Sequence, residues 1–112
     1  MKDTILNVVY DTDTADNFGS RVHSGDRSAQ EYFEEGLYRN KSGYWFIAGW
    51  GGNRTRFAVE TTPGRRCGGA GIIPIGCQAA MNWLAENGNV QALRNLFPTQ
   101  KEYLKETYGL RL

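Results

Sequence analysis

The sequence contains little of the chemistry on which most enzymes and metal sites depend. Its 112 residues include one histidine, two cysteines and three prolines. His23, Cys67 and Cys77 together supply too few ligands for a closed zinc site, and their spacing matches no zinc motif. We therefore expect neither a metal site nor a cofactor.

Long apolar segments are also absent. No run approaches the ~18 apolar residues that a membrane-spanning helix needs, and the N-terminal apolar stretch is too short and too quickly acidic for a secretory signal. We expect a cytoplasmic protein without membrane contact, in which Cys67 and Cys77 remain thiols because that compartment is reducing. The length is that of one domain, so residues 1–112 are predicted to form a single domain.

The net charge of +1 is small, but the charges are distributed unevenly along the chain. Three basic and eight acidic side chains lie up to Gly36, a net charge of −5, whereas ten basic and four acidic side chains follow, a net charge of +6. Such asymmetry indicates either a bipolar binding surface or two segments whose charges mix on folding.

Two aromatic-rich segments form the clearest structural signal. Residues 31–39 and 44–50 alternate as strands do, and the four residues between them, 40–43, end in a glycine. Glycine adopts the positive φ that closes such a loop. The pattern predicts a β-hairpin with Trp45 and Trp50 on opposite faces of its second strand.

Shorter elements are predicted before this hairpin. The β-branched residues 5–10 predict a first strand, and the helix-capping residues after them predict a short helix over residues 14–18. The polar residues 20–28 predict a loop that holds His23.

Alternation continues beyond the hairpin. Residues 54–60 predict a strand with Phe57 on its buried face, and the glycine-rich residues 61–71 predict a loop. Residues 72–75 are apolar, but Pro74 has no amide proton, so this piece of sheet must lie at an edge or an end.

The C-terminal third changes to helical spacing. One helix is predicted over residues 78–86, and a second begins after a capping Asn89. A third is predicted over residues 100–108, where Thr99 and Glu102 fit a capping box. Strands followed by helices indicate an α+β fold, a small antiparallel sheet around the central hairpin with two to three C-terminal helices packed on one face.

No catalytic constellation emerges from the remaining motifs. A pair of His23 with Cys67 or Cys77 is the one nucleophilic arrangement that the composition permits, but no carboxylate is marked out to orient the histidine. The glycine-rich residues 68–71 lack the Lys-Ser/Thr pair of a phosphate loop, and residues 11–16 lack the glycine and distal glutamate of a calcium loop. We expect a non-enzymatic protein, with a cysteine-dependent enzyme as an alternative.

A cluster of basic and aromatic residues is the strongest candidate for a binding site. If residues 54–60 form a strand, Arg54 and Arg56 share its outer face, and Arg65 and Arg66 follow in the next loop. Together with Trp50 they would form a positive surface with little nearby acid. Arginine and tryptophan are typical of protein-binding hot spots and also of nucleic-acid surfaces. A buried tryptophan with solvated arginines is the structural alternative.

Several short motifs resemble a known group of sequences. The motifs are YDTDTA at positions 10–15, LYR at 37–39 and GYWF at 43–46 in the hairpin, GWGG at 49–52, GG at 68–69, IP at 73–74 and a tryptophan at position 83. The arrangement resembles a group of small proteins carried by phages, plasmids and conjugative elements of Firmicutes. That group shares a YDTxTA opening and an LYRxKxGxWFLxGxGG hairpin. The resemblance implies no activity and no catalytic residues.

The resemblance does imply a genetic setting. Mobile elements carry many short proteins that bind and block host machinery, anti-CRISPR proteins among them. We therefore expect a binding protein that targets a bacterial protein or ribonucleoprotein complex, with a CRISPR nuclease as one candidate. A nucleic-acid-binding accessory protein is the second hypothesis.

Overall fold

A four-stranded antiparallel sheet forms the centre of the protein. The computed structural model describes residues 1–23 and 25–112. The strands of the main sheet are β3 (Asp16–His23), β4 (Phe33–Arg39), β5 (Trp45–Gly51) and β8 (Gly69–Ile75), in the order β3-β4-β5-β8. The pairing of β4 with β5 confirms the predicted hairpin, and the sheet followed by helices confirms the α+β fold.

The C-terminal helices cover one face of this sheet. They are α1 (Cys77–Glu86), α2 (Val90–Leu96) and α3 (Lys101–Tyr108), with a 3₁₀ turn at Pro98–Gln100. Side chains that alternate along β4 and β5 meet the buried faces of these helices in one apolar core, whose members include Leu37, Trp45, Ile47, Phe57, Trp83, Leu84, Leu93 and Leu104. Trp45 is therefore a core residue, packed between Phe18 and Phe97.

A small hairpin covers part of the opposite face. Strands β1 (Lys2–Ile5) and β2 (Val8–Asp11) pair with each other and place Tyr10 against Phe46 in a second apolar cluster. The single strand predicted over residues 5–10 is thus wrong, because Leu6 and Asn7 turn the chain with φ values of 50° and 67°.

The YDTDTA motif ends this hairpin and starts the main sheet. The side chain of Asp11 accepts a hydrogen bond of 2.9 Å from the backbone N–H of Asp13, and the backbone N–H of Ala15 donates to Asp11 O at 3.0 Å. The capping residues thus close a tight turn. The chain then enters β3 at Asp16 instead of the helix predicted over residues 14–18.

Strand β3 also replaces the first part of the loop predicted over residues 20–28. The strand runs to His23, because its residues pair with β4 as far as Phe33. The part of that loop prediction that falls on Ser24 lies outside the described residues.

Both edges of the main sheet resist further strand pairing. Pro74 lies in β8, an edge strand, as its missing amide proton predicts. At the other edge, the side-chain amides of Asn87 and Asn89 donate to the backbone carbonyls of Ser20 and Phe18, at 3.3 and 3.0 Å. These two asparagines join the loop between α1 and α2 to the sheet.

The segment after β5 differs from the sequence prediction. Residues 54–58 form turns, and a separate hairpin of β6 (Val59–Thr62) and β7 (Arg65–Cys67) follows. The predicted strand over residues 54–60 is therefore wrong for most of its length, and the predicted loop over 61–71 contains a hairpin and the start of β8. The buried Thr55 hydroxyl explains why residues 54–58 form turns and not a strand. It donates a hydrogen bond to Gly52 O and accepts one from the backbone N–H of Phe57.

The helices begin and end close to their predicted limits. Asn89 caps α2 by accepting a hydrogen bond from the N–H of Ala92, and Gly109 ends α3 in the left-handed region with a φ of 68°. The predicted capping box at Thr99 does not form, because Pro98 starts a 3₁₀ turn that leads directly into α3. No helix in the described parts of the chain is long and apolar enough to cross a membrane.

Candidate binding groove

The structure separates the four arginines that the sequence placed in one positive surface. Arg54 lies 3.6 Å from a carboxylate oxygen of Glu31, and Arg56 lies 3.7 Å from Oε1 of Glu35. The expectation of little nearby acid is therefore wrong for this pair. Both arginines have acidic neighbours because the turn over residues 54–58 folds back towards β4.

Arg65 and Arg66 lie on the exposed β6–β7 hairpin. No carboxylate among the described residues forms an ion pair with either of them. Glu60 faces Arg66 across the hairpin, but its Oε1 accepts the backbone N–H of Gly64 at 3.2 Å. These two guanidinium groups are thus available to an external anion.

Trp50 and Arg66 line one open groove of about 750 Å³. Arg27 and Cys67 also line it, and much of the remaining wall is the main chain of glycines 51, 52, 68 and 69. The structure therefore unites two of the five predicted binding residues and adds Arg27, which the sequence did not indicate.

The glycines bring the walls of the groove together. A Cβ at position 68 would lie 2.7 Å from the carbonyl oxygen of Gly51, and one at position 69 would lie 2.7 Å from Phe57 O. Real side chains do not approach a backbone oxygen so closely, so only glycine permits this contact. The glycine pair thus lets the chain that enters β8 approach the backbone at Gly51 and Phe57.

The Trp50 ring is held in place by its neighbours. Its indole N–H donates a hydrogen bond of 2.9 Å to Oε2 of Glu34, and the Arg27 guanidinium lies 5.3 Å from the ring centroid. Arg27 is also 3.6 Å from Oε1 of Glu34, and the Tyr32 ring lies 5.1 Å from the Trp50 ring. The aromatic wall is therefore organised by contacts within the protein itself.

A hydrogen bond between Tyr32 and Glu34, beside the Trp50 ring, shifts the pKa values of both groups. The hydroxyl of Tyr32 donates to Oε1 of Glu34. This bond lowers the pKa of the Glu34 carboxyl and, together with burial, raises the pKa of the Tyr32 hydroxyl. Glu34 thus remains ionised and holds Arg27 over Trp50.

A buried carboxylate on the opposite face of β4 was missed in the sequence. The fully buried Glu35 side chain accepts hydrogen bonds at Oε2 from the Trp83 indole N–H and from Arg21 Nε, at 2.7 and 3.3 Å. Arg56 faces its other oxygen. Two arginines compensate the burial of one carboxylate, so Arg56 belongs to a structural cluster between the sheet and α1.

The groups considered for catalysis lie in separate surroundings. His23 ends β3 and stacks on Phe33 at a centroid distance of 5.3 Å. Cys67 and Cys77 are exposed free thiols, and the Sγ of Cys67 lies 3.8 Å from the hydroxyl of Thr61. The described residues contain no group of three or more His, Cys, Asp or Glu side chains that could hold a metal ion.

Comparison with known proteins gives the groove no precedent. No family model, no curated protein sequence and no solved structure matches this chain.

Proposed function

We propose that this protein is a cytoplasmic, non-enzymatic accessory protein of a mobile genetic element that acts by binding a bacterial protein complex through the Trp50 groove. The observation that carries this proposal is the composition of the groove. A fixed tryptophan and two arginines, one of them without an acidic partner, surround an open volume of about 750 Å³.

These side chains favour an acidic protein surface as the partner. Arginine and tryptophan contribute a large share of the energy at protein interfaces, and the guanidinium fork pairs with carboxylates through two hydrogen bonds. Because Trp50 is already held by Glu34 and Arg27, little side-chain entropy is lost when a partner contacts it.

The narrower proposal is inhibition of a CRISPR nuclease. It is supported by the motifs shared with small proteins of phages and plasmids, and by the expectation that such inhibitors occupy a surface instead of catalysing a reaction. A plasmid-interference assay in cells that carry a CRISPR nuclease tests it. Expression of the protein should restore plasmid uptake, and the R66E variant should not.

The two free cysteines provide a direct test of the groove. Cys67 lies in it, whereas Cys77 lies beyond the other end of β8. A benzophenone attached to Cys67 in a C77S background should cross-link a protein in a lysate of a Firmicutes host. The same label on Cys77 in a C67S background should not.

A charge reversal completes this experiment. We expect R66E to reduce the cross-link at least about tenfold, the loss of roughly 1.4 kcal/mol of binding. The exposed Arg94 on α2 offers a matched control, because R94E changes the net charge equally but lies outside the groove. Equal cross-linking by R66E and the wild type would contradict the proposal.

Nucleic-acid binding is the second candidate. It is favoured by the combination of Trp50 with Arg27 and Arg66 in one open groove. Binding to a nucleic acid would fall steeply with salt because phosphate contacts release counterions. R66E would then flatten the salt dependence, whereas a protein partner would show a weaker one.

A further inference from the structure

The half-buried Trp50 side chain carries the two features of a cation site, an aromatic face and a carboxylate beside it. Glu34 accepts hydrogen bonds from the Trp50 indole N–H, at 2.9 Å, and from the Tyr32 hydroxyl, and these bonds fix the carboxylate next to the ring. A positive charge in this position is attracted by both groups. The Arg27 guanidinium takes the position within the protein itself, 5.3 Å from the ring centroid and 3.6 Å from Oε1 of Glu34.

Arg27 is held only weakly in this position. Its side chain is 70% exposed, and a separation of 3.6 Å from the Glu34 carboxylate is longer than a hydrogen bond. Ion pairs with so much exposure contribute little to stability, because water solvates both charges when they separate. Arg27 can therefore leave the Trp50 ring at small cost, while Tyr32 and Glu34 keep the ring in place.

A second set of tryptophan, glutamate and arginine shows how a structural version of this arrangement differs. Arg21 lies 5.1 Å from the Trp83 ring centroid and donates hydrogen bonds to two carboxylates, Glu35 at 3.3 Å and Glu86 at 3.1 Å. Its side chain is only 23% exposed, and the Glu35 side chain has no exposed surface. The set around Trp83 thus fastens α1 to the sheet, whereas the set around Trp50 opens into the groove.

We propose that Trp50 and Glu34 form a binding site for an arginine side chain of the partner, and that Arg27 occupies this site until the partner displaces it. The inference rests on the proposed function, because the partner supplies the arginine. A guanidinium is the expected guest, since the site already holds one from its own chain. The planar guanidinium also stacks on an aromatic face, whereas a compact lysine ammonium is more strongly hydrated.

Displacement also makes Arg27 available to the partner. Arg27 and Arg66 both line the groove, and Arg27 gives up its contact with Glu34 when the guest arrives. Two guanidinium groups then face the partner, so the complementary surface is an arginine flanked by carboxylates. Until then Arg27 is an internal competitor, which lowers the apparent affinity of the site in proportion to the time that it spends there.

Short peptides test this site in the intact protein. The probe is an acetylated and amidated glycine-arginine-glycine peptide, and its neutral counterpart carries citrulline, which has nearly the same shape without the charge. Titrations followed by two-dimensional ¹⁵N NMR should show the arginine peptide shifting the Trp50 indole signal. The indole signals of the buried Trp45 and Trp83 serve as internal controls. As the wild type saturates, the side-chain protons of Arg27 should lose the upfield shift that the Trp50 ring imposes on them.

Removal of the internal competitor should strengthen binding. R27A is expected to bind the arginine peptide about tenfold more tightly than the wild type, which corresponds to occupation of the site by Arg27 for roughly nine-tenths of the time. R94A is the matched control, because it removes the same charge from an exposed position on α2 outside the groove. E34Q, which keeps the shape of the side chain but not its charge, should weaken peptide binding. R27Q provides a second variant if R27A does not fold.

Each outcome has a defined meaning. The arginine site is refuted by equal binding of the two peptides, by an affinity of R27A no higher than that of R94A, or by Arg27 protons that stay shifted at saturation. If it is refuted while cross-linking from Cys67 still depends on Arg66, the proposed function stands. If the peptide results hold but the cross-link is independent of Arg66, the arginine site stands and the proposed function fails.

Discussion

The Trp83 indole N–H donates a hydrogen bond of 2.7 Å to Oε2 of Glu35 and thereby joins α1 to β4. The bond lies between groups 48 residues apart in the sequence, and the Glu35 side chain has no exposed surface. Water cannot replace a lost partner there, so this contact is expected to matter more for stability than any other polar bond of the sheet.

We expect W83F to lower the free energy of unfolding by roughly 2–3 kcal/mol, because a buried carboxylate loses a charged hydrogen bond. W50F removes the same kind of bond from Glu34, whose side chain is 35% exposed, and should cost less than about 1 kcal/mol because water replaces the donor. Urea denaturation of both variants measures the difference. Equal costs would show that burial of Glu35 does not strengthen its bond.

Reversing the charges of Arg54 and Arg56 should give different results. R54E disturbs only an exposed pair with Glu31 and is expected to change stability by about 0.5 kcal/mol or less. R56E places a second carboxylate beside the buried Glu35 and should destabilise the fold by about 3 kcal/mol. Thermal unfolding followed by circular dichroism distinguishes them, and a stable R56E protein would refute the structural role of Arg56.

Glu34 makes stability depend on pH in the acid range. Its folded-state pKa is lowered, first by the hydrogen bond from Tyr32. Ionised Glu34 therefore contributes its full stabilisation of the fold above about pH 4.3, the ordinary glutamate pKa. This stabilisation is lost as the pH falls toward the lower pKa of the folded state. Urea midpoints of wild type and E34Q should differ near neutral pH and converge on acidification. A constant difference would exclude this linkage.

Asn89 performs two functions that substitutions can separate. Its side-chain oxygen caps α2, and its amide donates to Phe18 O at the edge of the sheet. N89S keeps a capping oxygen but cannot reach the sheet, whereas N89A loses both, so stability should fall in the order wild type, N89S, N89A. We expect about 1 kcal/mol for each step. The exposed Asn87 provides the control, since N87A loses only a weaker bond of 3.3 Å.

Local patterns were sufficient to predict the hairpin and the helices. The alternation around Trp45 and Trp50, the glycine-closed loop and the capping Asn89 are all short-range signals, and each is found in the structure. Pro74 similarly predicted an edge strand, because proline has no backbone amide proton to donate to a neighbouring strand. These features depend on neighbours in the sequence and not on the packing of distant segments.

The candidate binding groove could be predicted only in part, because its walls come from distant segments. Arg27 and Asn53 carry no signal in the sequence, and Arg54 and Arg56 were misplaced because their alternation with Thr55 and Phe57 resembles a strand. The turn that actually forms depends on the Thr55 hydroxyl and on anchoring to Gln30, more than twenty residues earlier. Adjacent glutamates on opposite faces of a strand could have indicated that Glu35 is buried.

The turn between β1 and β2 has a consequence for the order of folding. Leu6 and Asn7 both adopt positive φ, where asparagine followed by glycine would be favoured, and Leu6 is 93% exposed. The turn therefore contributes little to nucleation. We expect this hairpin to stay open in the transition state and to close only when Tyr10 reaches Phe46 on a sheet that is already assembled.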